Sequence, residues 1–462
     1  MDHPTTQPCR PARRTLPAIL LVVATLLAAC GGLADPAPPQ AHRSRVAGAA
    51  AVPATPRVLA LLQASASPAP SGAVGTPFPV VSPAPSSVAS LDPALAAALQ
   101  GSVDASQARI PAPGISVAVR LADGRTWTGV AGDRQLSPPR PVGPDTVFAI
   151  ASITKTFVTA VVMQLVDAGE LSLDDRLSRF LPSYPRARDI RIRDLLGHTS
   201  GVFDYFQNPA YARRVFADRD RTWTSKEILG LVLGPACDPG ACFRYSNTNF
   251  VLLGLVIEKV SGRDLSAAIR TRLLEPLGLD HTVFQPDEDT PRNAAHGHLW
   301  GGGDLFHDQS GSGRVLPHRS ASTVAWAAGA MASTASDLAR WADALYGGEV
   351  VSPASLDAML TFRRRDEYGL GTRTRTFQGH RAVGHLGGIR GYELAMWHFP
   401  EDSATIVVLT NRGLFSTDRT VKLLARTLFS GLRDEDGASP APSVGPGPSV
   451  DPRPSPSPVP AG

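Results

Sequence analysis

Ser152 and Lys155 stand three residues apart in Ser152-Ile153-Thr154-Lys155, a spacing that on a helix sets a hydroxyl one turn from an amine. Such a pair does nucleophilic chemistry when the amine is desolvated enough to shed its proton and deprotonate the hydroxyl. Arginine cannot take that part, because its guanidinium stays protonated. The contrast carries weight here: of 45 basic residues, only Lys155, Lys226, Lys259 and Lys422 are lysine. Two later stretches add polar groups. Tyr245-Ser246-Asn247 stands before the apolar run Phe250, Val251, Leu253, Val256 and Ile257, which places Tyr245 and Asn247 at a helix entrance. Gly384-His385-Leu386-Gly387-Gly388, with Gly391 behind it, leads into an alternating strand from Tyr392. Its glycines let backbone approach a ligand closely, and an open strand edge offers N–H groups to an oxyanion.

These groups need a frame, and the apolar periodicity supplies one. Phe157, Val158, Val161, Val162 and Leu165 have helical spacing that stops at Gly169. Asp92-Pro93 opens a helix, and Ile115 to Leu121 with Thr126 to Val130 form a hairpin around Asp123-Gly124. Helices follow at Lys226 to Leu233, Thr248 to Val260, Leu265 to Leu274 and Asp337 to Tyr346. Strands return at Tyr392 to Phe399 and Thr405 to Thr410, and Thr417 to Leu428 makes a closing helix. Strands at both ends therefore enclose helices.

The chain has 462 residues, 43% of them hydrophobic, enough for a substantial core, and a net charge of +4 that leaves no nucleic-acid footprint. Arg10, Arg13 and Arg14 precede an apolar run from Leu16 to Ala29, too short for a membrane span and suited to a signal peptide. Its end, Leu27-Ala28-Ala29-Cys30, resembles the lipobox of bacterial lipoproteins, which implies lipidation of Cys30 and export to an envelope membrane. The expected organisation is a leader over 1–29, an Ala/Pro/Ser-rich disordered tether over 30–90, one domain over 91–432 and a Pro-rich disordered tail over 433–462. Cys237 and Cys242 remain, and Pro239-Gly240 between them supplies a turn; they pair as a disulfide or stay as two reduced thiols in a core.

Taken in order, Ser152-x-x-Lys155, Tyr245-x-Asn247 and His385-x-Gly387 resemble the motifs of the penicillin-recognising serine hydrolases, the family of class C β-lactamases, DD-carboxypeptidases and related esterases. Leu195 to Gly201, Gly278-Leu279, Ser333 to Leu338 and Tyr368-Gly369-Leu370-Gly371 agree with that resemblance, which covers about Leu91 to Leu432. It implies an α+β fold, an antiparallel sheet flanked by helices with an inserted all-helical lobe. It also implies that Ser152 attacks an ester or amide carbonyl, that Lys155 and Tyr245 share the proton traffic with the choice of base open, and that Asn247 holds substrate and lysine. The oxyanion hole would be the N–H groups of Ser152 and Gly388, beside Gly387. His385 would act in catalysis, and no cofactor or metal is needed.

Leu386 departs from the family pattern, since most β-lactamase and peptidase members carry threonine there. The expectation is that this position binds substrate without offering a hydroxyl to a carboxylate, unless Arg390 holds that group. His385 in place of lysine implies a cation that depends on pH. The resemblance implies that His198 beside Ser200 belongs to a structural motif, and His296, His298 and His307 lie in a glycine-rich rim without clustered carboxylates. The expected activity is that of a monomeric serine hydrolase cleaving an ester or D-amino-acid amide, DD-carboxypeptidase-like or esterase-like, in a small molecule or a peptidoglycan stem peptide. The alternatives are a β-lactamase and a non-catalytic lipoprotein that binds cell-wall peptide.

Overall fold

A computed structural model describes residues 90–109, 112–302, 305–311, 315–363, 367–414 and 416–437. The expected leader, Cys30, nearly all of the tether and the tail beyond 437 lie outside the described residues.

The frame is a sheet of β1 (Gly114–Leu121), β2 (Thr126–Leu136), β3 (Pro139–Pro141), β4 (Arg373–Phe377), β5 (His380–Ile389), β6 (Tyr392–Phe399) and β7 (Ala404–Thr410). Their spatial order is β3-β2-β1-β7-β6-β5-β4, with every neighbouring pair antiparallel. The two ends of the chain meet where β1 pairs with β7, from Ile115 opposite Thr410 to Leu121 opposite Ala404. Alternation along β1 sends Ile115, Val117, Val119 and Leu121 to one face. There they pack under helices α1 (Pro93–Arg109) and α5 (Asp418–Gly437), which contribute Leu95, Leu99, Val103, Val421, Leu424 and Leu428.

The other face carries the larger core, built with α2 (Thr154–Asp167), α3 (Asn247–Ser261) and α4 (Ala335–Tyr346). Phe157 of α2 stacks on Trp341 of α4 with ring centres 4.0 Å apart, and the Trp341 indole N–H donates to Thr156 Oγ1 at 2.9 Å. Each fully buried side chain of this size contributes about 1.5–3 kcal/mol. This packing holds the start of α2 rigidly against the sheet, which is what a nucleophile at that position requires.

Three features differ from the sequence expectation. Beside the expected antiparallel sheet and helices, Phe148–Ala149, Met331–Ser333 and Val283–Phe284 form a small sheet, and in the histidine-bearing rim His298–Gly302 pairs with Leu305–Asp308, neither of which was expected from the sequence. Short strands paired across long sequence separations leave little local periodicity to read. The helix expected over Lys226 to Leu233 spans only Ser225–Leu229, entered through a Thr224–Glu227 capping box and ended at Gly230. The closing helix instead runs on to Gly437, and Glu435 pairs with Arg125 at 2.8 Å, so the fold passes the expected boundary at 432.

Candidate active site

The chain reaches Ser152 through a constrained turn. Ile150 donates its N–H to Met331 O, Ala151 adopts a left-handed φ of 46°, and Ala151–Ile153 form a 3-10 turn that runs into α2. A non-glycine residue in that region costs about 1–3 kcal/mol and persists only where its surroundings over-determine it. Lys155, one turn on, is completely buried. Its Nζ reaches Ser152 Oγ at 2.9 Å, Asn247 Oδ1 at 2.8 Å and Ala328 O at 2.7 Å. Burial lowers its pKa from 10.5 to about 7; Asp204 opposes the shift and Arg373 adds to it. A neutral amine has two N–H donors and one lone pair. The carbonyls of Asn247 and Ala328 can only accept, so they take both donors and leave the lone pair facing the Ser152 hydroxyl.

Tyr245 donates its hydroxyl to Ser152 Oγ at 3.1 Å. Burial pushes its pKa up to about 12, with the Ser152 hydrogen bond and Arg373 restraining the rise. The phenol is therefore protonated at neutral pH. Of the two candidates for base, the geometry favours Lys155, and Tyr245 is poised to deliver a proton. The loop carrying Tyr245 is held from behind: Cys237 and Cys242 are joined as a disulfide, Gly240 and Ala236 donate backbone N–H groups to Thr199 and Gly201, and Arg244 donates to His198 O at 2.9 Å.

Asn247 is oriented by a residue that the sequence reading missed. Asp204 accepts from the Asn247 side chain at 3.2 and 3.3 Å and from its backbone N–H at 3.1 Å, which fixes the amide with its oxygen towards Lys155. An aspartate shortly after Gly201 between Val202, Phe203 and Tyr205 was the available signal. Ser200 donates to Asn249 Oδ1 at 2.6 Å and makes no bond to His198, in keeping with a structural part for that motif.

The third motif lies on β5. That strand pairs with β6 from Val383 to Ile389 but with β4 only from His380 to Gly384, so its edge from His385 onward is open towards Ser152. A Cβ on Gly387 would stand 2.4 Å from Ile150 O, so this glycine serves the approach of β5 to the nucleophile's own turn. Gly388 is the next residue, exposed and opposite Glu393.

Alternation then corrects two expectations. Leu386 points to the other face and packs in the α1–α5 core layer, so its side chain does not line the groove as expected. His385 is fully buried and carries no pH-dependent cation, because burial, then Arg373 and Lys155, hold its pKa well below the usual value. Its ring bonds Tyr368 and Leu386 O rather than Ser152. Arg390 bonds Gln309 and stacks on Phe216 at 4.5 Å. The cation in reach is Arg373, also missed, two residues after Gly371. Its guanidinium lies 5.4 Å from the Tyr245 ring centre and 5.2 Å from that of Tyr368, with no hydrogen bond or carboxylate partner among the described residues. No cluster of His, Cys, Asp or Glu among the described residues could hold a metal ion.

Comparison with known proteins places this geometry. The sequence matches the family described as Beta-lactamase over residues 99–428. It is 28% identical over 300 residues to penicillin-binding protein 4* of Bacillus subtilis, covering 61% of this chain and 64% of that protein. It is 27% identical to the D-aminopeptidase of Brucella anthropi over 68% of this chain and 58% of that one. The chain thus spans less than two thirds of the length of these curated relatives. Among solved structures, a D-stereospecific amidohydrolase from Streptomyces sp. superposes with a TM-score of 0.63 at 30% identity, covering 72% of this chain and 98% of the other. The D-amino acid amidase of Ochrobactrum anthropi SV3 gives a TM-score of 0.65 at 26% identity, covering 73% and 99%.

Proposed function

The chain belongs to the beta-lactamase family of serine hydrolases, and from that premise we propose that it hydrolyses D-amino-acid amides or peptides through an acyl-enzyme on Ser152. The observation that carries this reading is the buried Lys155 Nζ, 2.9 Å from Ser152 Oγ and held by the carbonyl oxygens of Asn247 and Ala328 at 2.8 and 2.7 Å. In acylation, Ser152 Oγ bonds to the substrate carbonyl carbon while its proton passes to Lys155 Nζ. The developing oxyanion meets the N–H groups of Ser152 and Gly388. Collapse breaks the C–N bond, and the leaving nitrogen takes the Tyr245 proton. The phenolate then stands beside the Lys155 ammonium and the Arg373 guanidinium. In deacylation water gives a proton to the phenolate and attacks the ester, and Ser152 recovers its proton from Lys155, so every group returns to its starting state.

The D-amino preference is supported by the likeness to a D-aminopeptidase and a D-stereospecific amidohydrolase. Within that class the Arg373 guanidinium, which has no carboxylate partner among the described residues, favours substrates that carry a carboxylate, which reverses the expectation drawn from Leu386. Export and anchoring through a lipidated Cys30 complete the reading and rest on the leader sequence alone.

The experiment is fluorophosphonate labelling of the full chain beside Ser152→Ala, followed by hydrolysis of a peptide ending in D-alanyl-D-alanine, its C-terminal carboxamide and a neutral ester. Labelling at Ser152 and faster turnover of the free carboxylate are expected. Equal labelling of both proteins removes the acyl-enzyme, and a preference for the neutral ester removes the part given to Arg373.

A further inference from the structure

Tyr368 is a buried group at this site that the mechanism above does not use. It is 1% exposed, and its hydroxyl lies between two buried imidazoles, 3.2 Å from His198 Nε2 and 3.1 Å from His385 Nε2. The proton positions along this chain follow from its two ends. His198 Nδ1 receives the Ser246 backbone N–H at 3.2 Å and faces the Asn249 amide nitrogen at 3.1 Å, so Nδ1 accepts and the ring proton sits on Nε2. The Asn249 oxygen is occupied by Ser200, which turns the amide donor towards His198. At the far end His385 Nδ1 lies 2.6 Å from Leu386 O, a carbonyl that can only accept, so that ring is protonated on Nδ1 and accepts at Nε2. Burial keeps both rings neutral. One direction satisfies every atom: His198 Nε2–H donates to Tyr368, and Tyr368 O–H donates to His385.

We propose that Tyr368 is a positioning residue that ties the Tyr245-Ser246-Asn247 loop to the open edge of β5, and that His385 serves the reaction by gripping Leu386 O rather than by carrying a charge or moving a proton. The chain begins on the backbone between Tyr245 and Asn247 and ends on the carbonyl just before Gly387 and Gly388. It therefore sets the separation of the two walls that supply the phenol and the oxyanion strand. A fully satisfied buried network of this kind admits one arrangement, because any slip strands a polar group in the core. Its kinetic consequence rests on the acyl-enzyme reading above; the hydrogen-bond pattern does not.

Two measurements on the full chain test it. The first is the ring nitrogen NMR signature of His198 and His385, expected to show Nε2–H and Nδ1–H tautomers respectively; a cationic His385 at neutral pH, or either ring in the opposite tautomer, overturns the chain. The second is the rate of fluorophosphonate labelling, with the saturating rate and the half-saturating concentration measured separately. Tyr368→Phe should lower the saturating rate roughly 10- to 100-fold and leave half-saturation within about twofold, the effect of a displaced wall on a site that still binds. His385→Asn keeps a donor at the Nδ1 position for Leu386 O, whereas His385→Gln keeps only an acceptor for Tyr368. His385→Asn should therefore label about tenfold or more faster than His385→Gln. Equal rates for that pair, or an unchanged rate in Tyr368→Phe, overturn the positioning role. If the unsubstituted protein does not label, the acyl-enzyme reading fails while the tautomers still decide the chain.

Discussion

Lys155 is proposed as the base because no counter-charge among the described residues stands at contact distance from it. Its three partners are a hydroxyl and two carbonyls, and burial brings its pKa to about 7, so the neutral amine grows as pH rises through that value. The rate of Ser152 acylation should accordingly climb on the acid side with a midpoint near neutrality. Lys155→Arg retains the cation but cannot lose its proton, and acylation is expected to fall by at least ~100-fold, the low end of general-base contributions. Labelling of that variant at the unsubstituted rate would exclude Lys155 as base. Asp204 gives a second, directional test. Its carboxylate raises the pKa of Lys155, so Asp204→Asn should move the acid limb of the pH–rate profile to lower pH. The plateau should drop about tenfold as Asn247 loses its anchor. A limb that moves to higher pH, or a full plateau, would contradict the part assigned to Asp204.

Elements bring these groups together by close backbone approach, and two neighbouring glycines on β5 separate the causes. A Cβ on Gly387 would meet Ile150 O at 2.4 Å, backbone against backbone, whereas one on Gly388 would stand 3.1 Å from the end of the flexible Glu393 side chain. Gly387→Ala should cost about 1–3 kcal/mol of stability and push β5 away from the Ser152 turn. Gly388→Ala should be milder on both counts. Thermal unfolding and labelling of the two variants give the comparison, and equal costs would show that the approach of β5 is not what Gly387 provides. The long periodic helices were legible in the sequence, as Thr248 to Val260 within α3 illustrates. The two- and three-residue strands around Ala149 and Ala332 were not, because they are held by partners far along the chain rather than by a local pattern.

At the scale of the whole molecule, the folded frame closes on itself through the pairing of β1 with β7 and of α1 with α5, so activity should not depend on the segments outside it. Cys30→Ser is expected to move the protein from the membrane to the soluble fraction with its labelling rate unchanged; full retention in the membrane fraction would refute the lipid anchor. What the sequence determined by itself was the order of the motifs: a lysine among arginines three residues after a serine, then Tyr245, Asn247 and His385, on a pattern of strands enclosing helices. Residue type and local period carry that information. The tertiary structure decided which face each residue serves. Leu386 and His385 are neighbours, yet the register of β5 against β6 sends one to the outer core and the other towards Tyr368. Ala328 O, Asp204, Arg373 and Tyr368 entered the site only through contacts made across long stretches of chain. Burial and the pKa shifts it causes come from such contacts, which is why the sequence left Lys155 and Tyr245 level as candidates for base and the fold gives a reason to favour Lys155.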